Sequence, residues 1–200
     1  MKSILIAIAL LVSGLAYGQT ADEYINRGFD KVKLGDYRGA IADYSKAIEL
    51  NPNNAIAYTN RAAAKGLLKD HRGAIADYSK AIELNPNYAE TYCQRGFKKS
   101  LLKDHRGAIA DYSKAIKLNP NHAKSYCQRG NSKGVLEDYR GALADLNKAI
   151  ELNPNDAKAY SLRGFSKLSL HQKDEGCMDF SKAGELGFYE AYDWIKEYCN

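Results

Sequence analysis

Several signatures of chemistry are missing from this sequence, and each absence removes a class of function. No zinc-ligand spacing of the His-Glu-x-x-His or paired Cys-x-x-Cys kind occurs, so the sequence predicts no metal site. No strand-turn-helix elbow is present to carry a serine nucleophile. Glycine-rich phosphate loops are absent too, because Gly39, Gly73, Gly107 and Gly141 are single residues repeated at a fixed interval. Proline appears only four times, always after asparagine, at Pro52, Pro86, Pro120 and Pro154. His122 and His171 stand apart from any ligand motif, and His71 and His105 occupy places that Tyr37 and Tyr139 hold elsewhere, as packing substitutes for a ring. The expectation is a protein that is not an enzyme and carries no cofactor.

What the chain has is repetition. With 45% hydrophobic and 26% charged residues it is globular in composition. Units of 34 residues begin at Ala21, Ala55, Ala89, Ala123 and Ala157, and the segment Leu67 to Ile82 recurs letter for letter at Leu101 to Ile116. A period of this length marks a solenoid, in which no unit buries its apolar face alone and each is completed by its neighbour.

Residues 1–18 stand outside that pattern. Lys2 gives a positive start, Ile4 to Leu15 is a short apolar run, and Ala16-Tyr17-Gly18 puts small residues before a cut ahead of Gln19. This predicts a secretory signal peptide and an exported protein, periplasmic or secreted; a retained anchor is the weaker alternative. Export argues against nucleic acid as a partner. The third unit carries seven lysines and arginines against three acids, a surplus that either attracts an acidic partner or membrane surface or is a solvated helix face.

Within a unit, apolar and small residues recur at helical spacing in two segments, as at Tyr58, Ala62 and Leu68 and then Ala74, Ile75, Tyr78, Ala81 and Ile82. Asp36, Asp70, Asp104 and Asp138 mark the break between the segments, where a carboxylate can accept the free N–H groups that open the second helix. The second helix stops before each Asn-Pro pair, since proline restricts its predecessor and has no N–H to donate. The short links predict antiparallel neighbours. Each unit also repeats an arginine, a lysine four residues on and a later aspartate. The pairing expected here runs between units, as Asp43–Arg61, Asp77–Arg95, Asp111–Arg129 and Asp145–Arg163. Five copies suit a stacking device better than a catalytic site.

The spacing of Tyr58, Ala62, Ala74, Tyr78, Ala81 and Pro86, repeated as Tyr92, Gly96, Ala108, Tyr112, Ala115 and Pro120, resembles the tetratricopeptide repeat. The resemblance covers residues 21–190. It implies an all-α, right-handed superhelical solenoid with repeats at 21–54, 55–88, 89–122, 123–156 and 157–190, the first helices lining a concave groove. Small Gly28, Ala62, Gly96, Gly130 and Gly164 on the first helices are expected to face Ala40, Ala74, Ala108 and Ala142 on the second, so that the axes approach closely. The fifth unit is atypical, with Gly176, Gly184 and Phe188 where alanine, isoleucine and proline stood. Residues 191–200 then begin like a further first helix, a cap with Trp194 in the tyrosine place.

Four cysteines in an exported chain invite disulfides. Cys93 and Cys127 hold equivalent places on adjacent first helices, too far apart for a bridge at a helix packing distance of about 8–10 Å, and are expected to stay free. Cys177 and Cys199 are the better pair; the other reading has Cys177 stand in for Ile41, Ile75, Ile109 and Leu143. The family's partner-facing places fall here on Ile25, Phe29, Val32, Asn60, Ala63, Cys93, Phe97, Cys127, Asn131 and Phe165, with Gln94 and Gln128 able to bond a partner's backbone. Ile25 and Phe29 stand where the family's clamp for an acidic C-terminus has its first lysine and asparagine, and only Asn60 matches, which argues against that partner class. The resemblance implies a protein–protein interaction scaffold that holds a peptide or protein segment between spaced phenylalanines, or, on the other reading, phenylalanines that pack neighbouring helices. A self-associating, homo-oligomeric scaffold of the cell envelope is the alternative function.

Overall fold

The computed structural model describes residues 19–199; the expected signal peptide at residues 1–18 lies outside them. The described residues form eleven α-helices and no strand. In chain order they are α1 (Ala21–Lys33), α2 (Tyr37–Leu50), α3 (Ala55–Leu67), α4 (His71–Leu84), α5 (Ala89–Leu101), α6 (His105–Leu118), α7 (Ala123–Val135), α8 (Tyr139–Leu152), α9 (Ala157–Ser169), α10 (Lys173–Glu185) and α11 (Ala191–Tyr198). Each helix packs chiefly on the one before and the one after, with weaker contact between successive odd-numbered helices from α5 to α9. None of the described helices is long and apolar enough to cross a membrane.

The boundaries follow from local chemistry. Asp36, Asp70, Asp104 and Asp138 accept the amide N–H of Gly39, Gly73, Gly107 and Gly141 at 2.9 Å. A methyl group on those glycines would stand 2.0 to 2.2 Å from the capping carboxylate, so the aspartate and the glycine three residues on form one capping unit. At the other end, Asn51, Asn85, Asn119 and Asn153 each close the last turn with their own N–H and accept the amide two residues later, beyond the proline. The link inside each unit requires one left-handed residue. Gly35 supplies it in the first unit with φ 79°, but Lys69, Lys103, Glu137 and His171 supply it in the others at 63° to 66°.

The small residues of the first helices do more than let two alanines meet. A Cβ on Gly28 would fall 2.6 Å from the Tyr44 ring, and on Gly96 2.9 Å from Tyr112, so each glycine is a notch for the large side chain four residues beyond the alanine on the second helix. Gly130 takes Leu146 and Gly164 takes Phe180 in the same way. Only Ala62 keeps a methyl there, packed with Ala74 and Tyr78.

The last unit ends the stack differently. Gln172 makes no side-chain cap, and Gly176 lies against the Gly164 carbonyl, where a Cβ would come within 3.0 Å. Gly184 leaves room for the ring of Tyr192 from α11. Trp194 packs on Phe165, Phe180 and Phe188 with ring centroids 4.7, 5.5 and 5.4 Å apart. Cys177 and Cys199 are joined by a disulfide, their Cα atoms 5.9 Å apart.

Candidate functional site

The repeated charges come first because they occupy the joints between helices. In every unit the arginine grips the aspartate of its own second helix through Nε and Nη2, as in Arg61–Asp77 at 2.9 and 2.8 Å and Arg95–Asp111 at 3.0 and 2.7 Å. The expected pairing of each aspartate with the next unit's arginine is therefore incorrect. Asp43, Asp77, Asp111, Asp145 and Asp179 face the first helix of their own hairpin, where Arg27, Arg61, Arg95, Arg129 and Arg163 and then Lys31, Lys65, Lys99, Lys133 and Lys167 saturate both oxygens. The link between units runs through the remaining nitrogen. Nη1 of Arg61, Arg95 and Arg129 donates to the hydroxyl of Ser45, Ser79 and Ser113 of the preceding unit at 2.9 to 3.0 Å, and Arg163 donates to Asn147. One guanidinium thus ties a hairpin together and seats it on its predecessor. Arg27 has no preceding unit and reaches Gln19 instead. Its hydrogen bonds hold the Asp43 carboxyl below the usual range, against the opposing effect of burial.

Most of the residues expected to face a partner fall into three groups. Phe29 and Ala63 are exposed, and Phe97 is half-buried with the Lys98 ammonium over its ring. Asn60 lines a cavity of about 430 Å³ between α3 and the start of α5, together with Ile56, Thr59, Asn85, Tyr88 and Thr91; Ile56 and Tyr88 are 63% and 55% exposed. Asn131 lines a smaller cavity of about 240 Å³ between α7 and α9. Ile25 and Val32 are partly buried against Tyr44, and Gln128 is half-buried.

Cys93 and Cys127 are corrections, and Phe165 follows the packing reading. Cys93 is fully buried and Cys127 nearly so, hence neither offers a side chain to a partner's surface; burial pushes the Cys127 thiol up to about 12. Their place on a first helix turns inward beside the second helix, and Cys127 belongs to the cluster of Ala142, Leu146 and Ala149. Phe165 packs in the cap, 4.9 Å from Phe180 and 4.7 Å from Trp194, and also lines the smaller cavity.

One cluster among the described residues breaks the repetition. Glu90 and Cys93 on α5 and His122 before α7 bring a carboxylate oxygen, a sulfur and a ring nitrogen within 4.8 Å of one another. His122 Nε2 lies 3.0 Å from Glu90 Oε2, and its Nδ1 lies 2.7 Å from Ser125 Oγ. Lys124 donates to Glu90 Oε1 at 3.2 Å, and the Gln94 amide donates to the same oxygen. Burial pushes the Glu90 carboxyl up, but the hydrogen bonds from Gln94 and Lys124 and the charges around it outweigh that and leave it below its ordinary value.

Comparison with known proteins agrees with the hairpin array. A family model described as tetratricopeptide repeat matches residues 55–88, 89–122 and 123–156, and a further model described as TPR repeat matches 30–69. The chain belongs to the tetratricopeptide repeat family. Among solved structures of that architecture, one titled as the MamA protein superposes with a TM-score of 0.77 at 26% identity, covering 86% of this chain and 94% of its own. YrrB, described as a TPR protein with an unusual peptide-binding site, gives 0.75 at 21% identity over 88% and 92%. PilW, described as a type IV pilus biogenesis factor, gives 0.75 at 21% identity over 84% and 78%. No curated protein matches the sequence.

Against the tetratricopeptide pattern, Glu90 and His122 are the residues that sequence reasoning passed over. The signal was available by comparing equivalent places. Where Glu90 stands the other units have Asp22, Ile56, Lys124 and Lys158, and where His122 stands Asn54 and Asp156 cap the next helix at 3.0 and 3.1 Å. His122 makes no such cap and turns its ring to Glu90 and Ser125 instead.

Proposed function

We propose that this protein is an exported, non-enzymatic scaffold that holds a peptide or protein segment along the first helices of its repeats. The observation that carries the reading is the set of exposed apolar groups on those helices and at their starts. Phe29, Ile56 and Tyr88 are each more than half exposed, and the last two rim the 430 Å³ cavity whose floor offers Thr59, Asn60 and Thr91. Apolar anchors around a few polar groups are what an extended or helical segment needs for affinity and register. That YrrB is described as having a peptide-binding site supports the same use of the fold. The Cys177–Cys199 bridge supports export, since structural disulfides persist in oxidising compartments.

Capture from an envelope fraction with a chain starting at Gln19 identifies the partner. Phe29→Ala and Phe97→Ala are each expected to weaken its binding by about 1–2 kcal/mol. Unchanged affinity in a folded variant carrying both moves the site off the first helices. Static light scattering of the free protein tests the self-associating alternative, which predicts a mass that rises with concentration. Intact mass of the exported material, expected to begin near Gln19, tests the compartment, and retention of residues 1–18 there overturns it.

A further inference from the structure

We propose that Glu90, Cys93 and His122 form a binding site for a single zinc ion, with water in the fourth position. The three donors are a thiolate, an imidazole nitrogen and a carboxylate oxygen, the ligand set that a borderline-soft, tetrahedral divalent cation prefers over magnesium or calcium. Their atoms already lie within 4.8 Å of one another. Around zinc, with bonds of about 2.0–2.3 Å, neighbouring donors sit roughly 3.3–3.8 Å apart. Seating the ion therefore draws the sulfur in and opens the 3.0 Å contact between His122 Nε2 and Glu90 Oε2 by a few tenths of an ångström.

The surroundings are built to orient these groups. Ser125 Oγ holds Nδ1 of His122 at 2.7 Å, which turns Nε2 to the carboxylate. Lys124 and Gln94 both bind Oε1 of Glu90 and leave Oε2 for the ion. Such outer contacts fix ring tautomer and carboxylate direction in zinc sites. Starting from a neutral imidazole, the ring proton moves from Nε2 to Nδ1, and the Nδ1–H donates a hydrogen bond to Ser125 Oγ. The thiol proton of Cys93 passes to solvent. One thiolate and one carboxylate then balance the two charges of the ion, and no redox step is involved. Cys93 is fully enclosed, whereas the His122 and Glu90 side chains are 18% and 34% exposed, so the ion enters from the histidine and glutamate side.

The neighbouring unit supplies an internal comparison. Cys127 holds the place of Cys93, but Lys124 and Asp156 stand where Glu90 and His122 do, and that set lacks the imidazole. The test is a cobalt(II) titration of the metal-stripped protein at neutral pH, with cobalt as the spectroscopic probe and zinc as the competitor. One equivalent is expected to produce a thiolate-to-cobalt charge-transfer band with the visible bands of four-coordinate cobalt, and zinc is expected to erase both. Cys127→Ser should leave the spectrum unchanged. Cys93→Ser should lose the charge-transfer band, and His122→Ala should weaken cobalt binding by more than about tenfold, the loss that even an outer contact causes. Absence of the band in the folded wild-type protein overturns the site. So does its survival in Cys93→Ser, and if that variant fails to fold, unchanged affinity in His122→Ala does the same.

Discussion

At each joint between the first four units, a second helix is covered by the first helix of the next copy through small side chains and an arginine reaching back to a serine, while the ring or leucine in its glycine or alanine notch lies inside the hairpin. At the far end a short helix takes the place of the next hairpin. The protein covers that face with α11, whose eight residues are shorter than any other described helix, and makes up the missing area with Trp194, Tyr192 and the rings of Phe165, Phe180 and Phe188. A disulfide then fixes the short helix to α10. An inner unit can rely on small, repeated contacts because both its faces are occupied, whereas an end must concentrate burial in a few large side chains and a covalent tie.

Four changes test that contrast, beginning with the largest. Asp111→Ala leaves Arg95 and Lys99, 18% and 22% exposed, without their carboxylate, and is expected to cost about 3–5 kcal/mol in urea denaturation followed by circular dichroism. A loss under about 1 kcal/mol would mean that water screens the joint as it does a surface pair. Reducing Cys177–Cys199, which closes a sequence separation of 22 residues, should cost about 3 kcal/mol and loosen α11 before the inner joints. Hydrogen exchange reads this directly, since the loss should appear in residues 191–199 and not in α5 or α6. Trp194→Ala with the disulfide intact should cost about 2 kcal/mol, less than a fully enclosed ring because the indole is only half-buried. If reduction and Trp194→Ala together cost no more than either alone, the tie and the ring act as one device. The smallest effect belongs to the left-handed link. Lys103→Gly relieves a side chain held at φ 66° and should stabilise by up to about 1 kcal/mol, as Gly35 already does in the first unit.

The period, the antiparallel hairpins and the helix ends were legible because each is set by residues close in sequence. The capping aspartates act three residues ahead, and the Asn-Pro pairs act on their immediate neighbours. What the sequence did not reveal depends on rotation about helix axes. Asp43, Asp77, Asp111 and Asp145 each have an arginine 16 residues before and another 18 after, and no periodicity decides between them. Antiparallel packing within one hairpin does, and it leaves the serine two positions along to meet the next unit. Cys93 and Cys127 depend on the same rotation, which turns their side chains inward against the second helices and away from any partner. The Glu90, Cys93 and His122 cluster spans 32 residues and appears only when equivalent places are compared and the odd one noticed.

The exact recurrence of Leu67 to Ile82 at Leu101 to Ile116 gives the arginine–serine joint a genetic consequence. Both copies present the same aspartate, tyrosine and serine to whatever first helix follows, so misaligned recombination between them inserts or deletes one whole unit and meets a joint that already fits. The number of repeats is then free to drift while every junction stays intact. Because Glu90 and Cys93 lie between the two copies and His122 lies beyond them, such an insertion would lengthen the surface and copy two of the proposed ligands, but would place Tyr88 where the histidine is needed.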